Sequence, residues 1–231
     1  MCGITGFFSY KNKCSTTDFY NAHRKIAHRG PDDEGFIYRD SNGGLENIIG
    51  CDTISELRNR DLITNKSPSS LIIGHRRLSI LDLTSQGHQP FSYVDLHLTY
   101  NGEIFNYVEL RDELISVGYT FETQTDTEVF LKSYHYWGED AFNKFNGMWA
   151  AAIYDSSKDC LLLTRDRFGI KPLYYSFIDS NFIFGSEIKF VSSFMDKLYP
   201  NEQMVYDYIE HGYISHTSDT FFAGIHQINP G

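Results

Sequence analysis

No stretch of the chain approaches the roughly 20 consecutive apolar residues that a membrane-spanning helix requires. The amino terminus also lacks a basic region followed by an apolar one, so no secretion signal is read there. Cysteine is scarce, with only Cys2, Cys14, Cys51 and Cys160 in 231 residues. They form no CxxC pair and have no histidine at ligand spacing, which argues against a zinc site, and no metal is expected. Without a secretion signal, free thiols are expected rather than disulfides. Cys160, within CLLLT, reads as a small core residue. Basic charge is also short: 20 Lys and Arg stand against 30 Asp and Glu, a formal net charge of −10. A nucleic-acid partner normally needs a basic patch, so that class is set aside. The expectation is a soluble, cytoplasmic protein that binds neither membrane nor nucleic acid. Internal repeats and low-complexity tracts are missing too.

Aromatic residues are plentiful, with 18 Phe and 16 Tyr beside 2 Trp, and at strand-like spacing they favour a sheet-rich core. The length suits one full core, or one domain and part of a second. CGITGFFSY alternates as a strand does, and DFYNAHRKIAHR reads as a helix. After the turn-rich HRGPDDEG comes a short strand around GFIYR. Residues 40–70 are polar and broken by Gly, Asn, Ser and Pro, and read as a surface excursion with one short helix at ISELRNRD. SLIIGHRRLSILDL reads as two strands, and LHLTYNGEIFN as another that runs into a turn. NYVELRDELISVGY is an amphipathic helix, with Asn106 as cap, Leu110, Leu114 and Val117 as apolar stripe, and Gly118 as stop. In TDTEVFLKSYHYWG, Thr125 and Glu128 have capping-box spacing and Gly138 ends the helix. WAAAIYD, CLLLTRD, LYYSF and FIFGS read as a four-strand meander, followed by helical EIKFVSSFM and EQMVYDYIEHGY. The order lacks the strict alternation of a parallel doubly wound sheet. It suits an α+β fold of antiparallel sheets covered by helices.

Five segments could carry chemistry. Cys2 could be incidental, but removal of Met1 would put a thiol and a free α-amine on one residue. An α-amine titrates near about 7.7–8.0 and can take the thiol proton at neutral pH. In YNGEIFNY, the Asn101 amide and the Gly102 N–H could form an oxyanion hole, although Asn-Gly is equally a tight-turn signal. Arg76 and Arg77 sit on opposite faces of a strand, so one can face a pocket and grip a carboxylate while the other faces solvent. Asp126 in TDTE could hold an ammonium group, or simply favour a helix start. In HRGPDDEG, His28, Arg29 and the acidic residues fit no metal-ligand pattern, and the carboxylates read as solvated turn residues.

Taken in order, the Cys-Gly-Ile strand, HRGPDxxG, HRRLSILDL, NGEIFN, TDTE and RDRFGIKPLYY resemble the glutaminase domain of asparagine synthetases. That domain is a class II glutamine amidotransferase with the N-terminal nucleophile hydrolase fold, a four-layer αββα sandwich. The resemblance covers roughly residues 2–195. HRGPD and NGEIFN match this branch better than the phosphoribosylpyrophosphate or hexosamine-phosphate branches. It implies that Cys2, as mature N-terminus, attacks the glutamine amide while its α-amine acts as base. Asn101 and Gly102 would stabilise the oxyanion, and Arg77 would bind the α-carboxylate. The backbone strand from Arg77 through Leu78, Ser79, Ile80 and Leu81 would line the pocket. Glu103 and Asp126 would hold the α-ammonium, with Arg29 and Gly30 in a supporting loop.

The resemblance further implies that Arg165, Asp166, Gly169 and Pro172 shape a turn rather than perform chemistry. FGSEIKF and TFFAGIHQINPG resemble the connection into an ATP-dependent synthetase domain. The expected division is therefore 1–195 for the glutaminase domain and 196–231 for a linker and the start of a truncated synthetase domain. No cofactor is expected in the glutaminase domain, whereas ATP and Mg would serve the synthetase. Glutamine and that synthetase domain are the expected partners, and a homodimer is one assembly the resemblance allows. Two other readings stay open. The ammonia could go to another acceptor, such as a surface-polysaccharide sugar, or a retained Met1 could leave a non-catalytic regulatory module.

Overall fold

The first strand alternates between two apolar environments. In β1 (Gly3–Phe8), Ile4 and Phe8 enter one core and Phe7 enters another, and all six residues are buried. A strand buried on both faces has to lie between packed layers. The computed structural model describes every residue except Leu81 and Leu83, and places β1 at the centre of a seven-stranded sheet.

The elements that follow β1 are α1 (Thr16–Arg24), β2 (Asp33–Arg39), β3 (Leu45–Ile49), β4 (Leu71–Arg77), β5 (Phe91–Tyr93) and β6 (Leu96–Ile104). Next come α2 (Tyr107–Ser116), α3 (Asp126–Trp137), α4 (Ala141–Lys144), β7 (Gly147–Asp155), β8 (Cys160–Arg165), β9 (Tyr174–Ile178) and β10 (Asn181–Gly185). The chain continues through α5 (Ile188–Val191), α6 (Glu202–His211) and β11 (His226–Gln227). The larger sheet has the order β11-β9-β10-β1-β4-β2-β3 and the smaller β5-β6-β7-β8. Every pairing between these strands is antiparallel.

Three hydrophobic clusters define the layers. Phe19, Tyr20 and Ala22 of α1 and Phe190 and Val191 of α5 pack on one face of the large sheet, against Phe7, Phe36 and Ile72. Its other face meets the small sheet through Ile4, Phe8, Ile73, Ala150, Ala152 and Tyr154. The outer face of the small sheet is covered by α2–α4, with Leu98 and Tyr100 against Leu110, Val129 and Phe130. The result is the expected αββα sandwich. Among the described residues, no helix is long and apolar enough to cross a membrane.

Several local expectations are corrected. The supposed meander is two hairpins in different sheets, β7–β8 in the small one and β9–β10 in the large one, and the RDRFGIKP turn carries the chain between them. Residues 40–70 are not merely a surface excursion. They contribute the strand β3 and the buried Ile48, Ile49 and Ile63, while the foreseen helix is a single 3-10 turn, Ser55–Leu57. Of the two strands expected in SLIIGHRRLSILDL, the first is β4, which ends at Arg77, and the second would include Leu81 and Leu83, outside the described residues. Asn106 does not cap α2, because its side chain bridges to Lys144 O and Asn146 N at 3.0 and 2.9 Å. Val117 stays exposed. Half of the capping box forms: Thr125 accepts from Glu128 N, but the Glu128 carboxylate turns to Thr123 N and Lys132. Helix after Ser186 is limited to α5 and a 3-10 turn at Ser192–Phe194 before α6. Cys160 is exposed at the start of β8, and Cys14 is the buried thiol, pushed up to about 12 by its burial. Residues 196–231 carry α6 and return to the large sheet, where β11 pairs with β9.

Candidate active site

Strand register decides where the charged residues go. On β4, Leu71 and Ile73 face the small sheet, so Arg77 shares that face and Arg76 takes the other. The expected alternation holds, but neither arginine faces solvent, Arg76 being 1 % and Arg77 6 % exposed. Arg76 is consumed by structure: its Nη1 pairs with Glu34 and Asp52, and its Nε donates to Gly30 O at 3.0 Å. Glu34 also accepts from Tyr20 Oη at 2.9 Å and Asp52 N at 2.8 Å, and lies 3.5 Å from His23 Nε2. Burial alone would raise the Glu34 carboxyl, but His23, the Asp52 N–H and Arg76 together hold it at about 2. Burial pushes His23 itself down. Asp33 and Glu34, read from sequence as solvated turn carboxylates, are thus fully buried and paired. Among the described residues, no group of three or more His, Cys, Asp and Glu is placed to hold a metal.

Arg77 lies at the end of a cleft between the two sheets. Cys2, immediately before β1, is there too: Leu78 N donates to its Sγ at 3.4 Å, and Sγ donates to Leu78 O at 3.7 Å. Arg29 Nε donates to the Cys2 carbonyl at 2.8 Å, while its Nη1 pairs with Glu187. Burial raises the thiol pKa, opposed by the Leu78 N–H, the amino-terminal charge, Arg77 and Arg29. The cleft, about 680 Å³ with its open mouth, is also lined by Leu78, Ile80, Asn101, Gly102, Glu103 and Asp126. Ser79 does not line it, and its N–H is turned to Asp32 Oδ2 at 2.8 Å. Leu81 lies outside the described residues. Gly30 sits behind the cleft, where a Cβ would come within 2.5 Å of the Arg76–Arg77 backbone.

Asn101 and Gly102 are not a turn but mid-strand residues of β6, opposite Ala150 and Trp149. Strand pairing accounts for the Asn101 backbone but not for its side chain, whose buried Nδ2 has no hydrogen-bond partner among the described residues. A buried orphan donor calls for an explanation, and one aimed at a bound ligand supplies it. Tyr100 points the other way, into the helical layer, and its Oη donates to Asp126 Oδ2 at 2.8 Å. Ile104 N donates to the same oxygen at 3.0 Å, so Asp126 is locked to β6 across the start of α3. Burial pushes its carboxyl up, with these two donors opposing.

Sequence reasoning missed several residues of the cleft. Gln89 lines it, and its Oε1 accepts from Tyr100 N at 2.8 Å. Lys171, from within RDRFGIKP, a motif read only as a turn, lines it too. That turn is organised by the buried Asp166, which accepts from Trp149, Phe168, Ile170 and Lys171 N–H groups. The position of Tyr100 beside Asn-Gly was the one available signal for its role.

The glutamine amidotransferase domain family matches residues 54–231. The chain belongs to that family. The match includes Arg77, Asn101, Gly102, Glu103 and Asp126 but begins after Cys2. Family relatives extend further. A putative glutamine-hydrolysing asparagine synthetase of Methanocaldococcus jannaschii is 37% identical over 206 residues, 82% of this chain and 34% of that protein. A glutamine-hydrolysing asparagine synthetase of Bacillus subtilis is 33% identical over the whole chain, which covers 33% of that protein. The resemblance read from the motifs therefore stands, and the chain spans about a third of the length of these curated relatives. In three dimensions it matches a glutamine phosphoribosylpyrophosphate amidotransferase of B. subtilis solved with ADP and GMP. The TM-score is 0.66 at 23% identity, over 80% of this chain and 42% of that one. The shared fold is that of the N-terminal nucleophile hydrolases.

Proposed function

We propose that this domain hydrolyses glutamine to glutamate and ammonia at the cleft, through Cys2 as mature amino terminus. The observation that carries the reading is the unpartnered, buried Asn101 Nδ2 in a cleft that Cys2 also lines. A thiol beside an unsatisfied donor suits amide hydrolysis, in which negative charge develops on the carbonyl oxygen. With Met1 removed, the Cys2 α-amine takes the thiol proton as Sγ bonds to the amide carbon. The oxyanion is held by Asn101 Nδ2 and the Gly102 N–H. The ammonium so formed on Cys2 protonates the departing nitrogen as the C–N bond breaks, leaving a thioester. Water, deprotonated by the same amine, then cleaves the C–S bond and releases glutamate. Arg77 grips the substrate α-carboxylate, while Asp126 and Glu103 hold its ammonium. Leu78 and Ile80 bound the pocket, and Arg29 and Gly30 support the nucleophile.

Residues 1–195 form the glutaminase unit in this reading, and 196–231 lead to an ATP-dependent synthetase domain that consumes the ammonia. ATP and Mg would belong to that domain, and asparagine is its product. The whole-length relatives, of which this chain covers about a third, support the reading. A second reading, with another acceptor, draws on a relative of different name, the amidase chyE of Penicillium rubens, 30% identical over the whole chain and 31% covered by it. Both keep the same first half-reaction. The test is glutamate release by the polypeptide carrying this domain, after intact mass has verified loss of Met1. Cys2→Ala is expected to abolish it, and diazo-oxo-norleucine to add once, at Cys2. A protein with a free Cys2 amine that neither releases glutamate nor is alkylated overturns the proposal.

A further inference from the structure

We propose that His88, paired with Asp33, is a positioning residue for Arg77: the pair clamps the backbone that holds the guanidinium ready for a substrate carboxylate. The inference rests on the glutaminase reading and adds a residue pair to it.

Arg77 has no acidic partner among the described residues. Instead its Nη1 donates to Thr84 O at 2.9 Å and its Nη2 donates to Asp82 O. Gly87 closes on the same group, since a Cβ there would come 1.9 Å from Arg77 Nη2. The guanidinium is thus cradled by main chain, which fixes its direction but leaves its charge uncompensated. A cradle of carbonyls orients only as well as it is itself held.

Two side chains following the 3-10 turn Ser85–Gly87 hold it. Gln89 fastens to the small sheet through Tyr100 N. His88 fastens to the large one, with Nδ1 2.7 Å from Asp33 Oδ2 and the side chains 10 % and 1 % exposed. An ionised carboxylate only accepts, so the proton lies on Nδ1. The other Asp33 oxygen accepts from Ile54 N at 3.1 Å, so the carboxylate is fixed from both sides. Asp33 stands directly opposite Arg77 in the β2–β4 register. Two residues along, Gly35 leaves room for the ring: a Cβ there would lie 2.4 Å from His88 Nε2. The imidazole therefore lies over the Gly35 backbone, tethered beside the strand partner of Arg77. One hydrogen bond joins the sheet that carries Arg77 to the turn that aims it.

The test is steady-state glutamine hydrolysis and Cys2 alkylation in the polypeptide carrying this domain. Loss of a hydrogen bond to a charged group corresponds to roughly a tenfold to hundredfold change. His88→Ala is expected to raise KM by that factor with kcat within about threefold. Alkylation by diazo-oxo-norleucine, which carries the α-carboxylate, should slow by the same factor, while alkylation by iodoacetamide, which lacks one, should not change. His88→Asn, whose amide can donate to Asp33, should restore most of the loss. The clamp is overturned if an active parent shows unchanged KM in His88→Ala, if both reagents slow equally, or if Asn restores nothing. A parent that neither hydrolyses glutamine nor takes diazo-oxo-norleucine overturns the glutaminase reading itself, and the clamp with it.

Discussion

Acid should unfold this domain in a window set by Glu34, and the size of the effect follows from its surroundings. Its carboxyl lies at about 2 in the folded protein against an ordinary 4.5. A folded value below the unfolded one means that the unfolded chain takes up the proton first as pH falls. The stabilisation is therefore complete above about 4.5 and is lost on the way down to about 2, a total of about 3 kcal/mol. Against the 5–15 kcal/mol of an ordinary domain, that is a large share. His23, pushed down by burial, acts with the same sign, but its loss begins higher, as pH falls below about 6.5. Asp126 acts against both, because its raised carboxyl makes the fold gain stability as it protonates. Urea unfolding midpoints from pH 7 to pH 3 measure the sum. Glu34→Gln should flatten the lower part of that curve. At pH 7 it should cost about 3–5 kcal/mol, because Arg76 stays buried with only Asp52 to pair with. A variant as stable as the parent at pH 7, or one with an unchanged slope below pH 4.5, would refute the reasoning.

Three further substitutions separate the roles of the cleft. Asn101→Ala should lower kcat for glutamine by about 10²–10³ with little change in KM, since the proposed oxyanion donor it removes has no hydrogen-bond partner among the described residues; steady-state kinetics decides. Asp126→Asn keeps an oxygen to accept from Tyr100 and Ile104, so the thermal midpoint should hold or rise while KM for glutamine increases at least tenfold through the lost ammonium partner. Gly30→Ala forces a Cβ within 2.5 Å of the Arg76–Arg77 main chain, and should cost about 1–3 kcal/mol in denaturant unfolding. It should also weaken alkylation of Cys2, because Arg29, the neighbour of Gly30, holds the Cys2 carbonyl.

What could be read from sequence depended on whether the signal was local. β1 was legible because alternation and apolar content occur within six residues. The separation of β7–β8 from β9–β10 was not, since four strands in succession look alike whether or not the chain changes sheets between them. β3 was hidden by its edge position: only Ile48 and Ile49 are buried, too few to make a period visible. Asn106 has the residue type of a cap, but a partner at Asn146 claims its side chain. Asp33 and Glu34 looked like solvated turn residues because their partners, His88 and Arg76, are 55 and 42 positions away. The cleft's lining was legible through its motifs, since Arg77, Asn101, Gly102, Glu103 and Asp126 all fall within them; the residues proposed to aim those groups, Gln89 and His88, belong to no such motif.

The arginine pair shows where periodicity stops and electrostatics takes over. A period of two places Arg76 and Arg77 on opposite faces, but cannot say which one is free to bind. Both are buried, so exposure does not decide it either. Counter-charge does. Arg76 has two carboxylates and a carbonyl, so its charge is already more than cancelled, and a substrate anion there would have to displace Glu34 or Asp52. Among the described residues Arg77 has only carbonyl oxygens as hydrogen-bond partners, and these satisfy donors without cancelling charge. A buried cation in that condition gains most from an anion that enters the cleft, because low local polarity strengthens the attraction. Supplying that counter-charge from the protein should therefore weaken binding: in Gly87→Asp the new side chain would push the guanidinium aside, since a Cβ there lies 1.9 Å from Arg77 Nη2, and pair with it, raising KM for glutamine even where the fold survives.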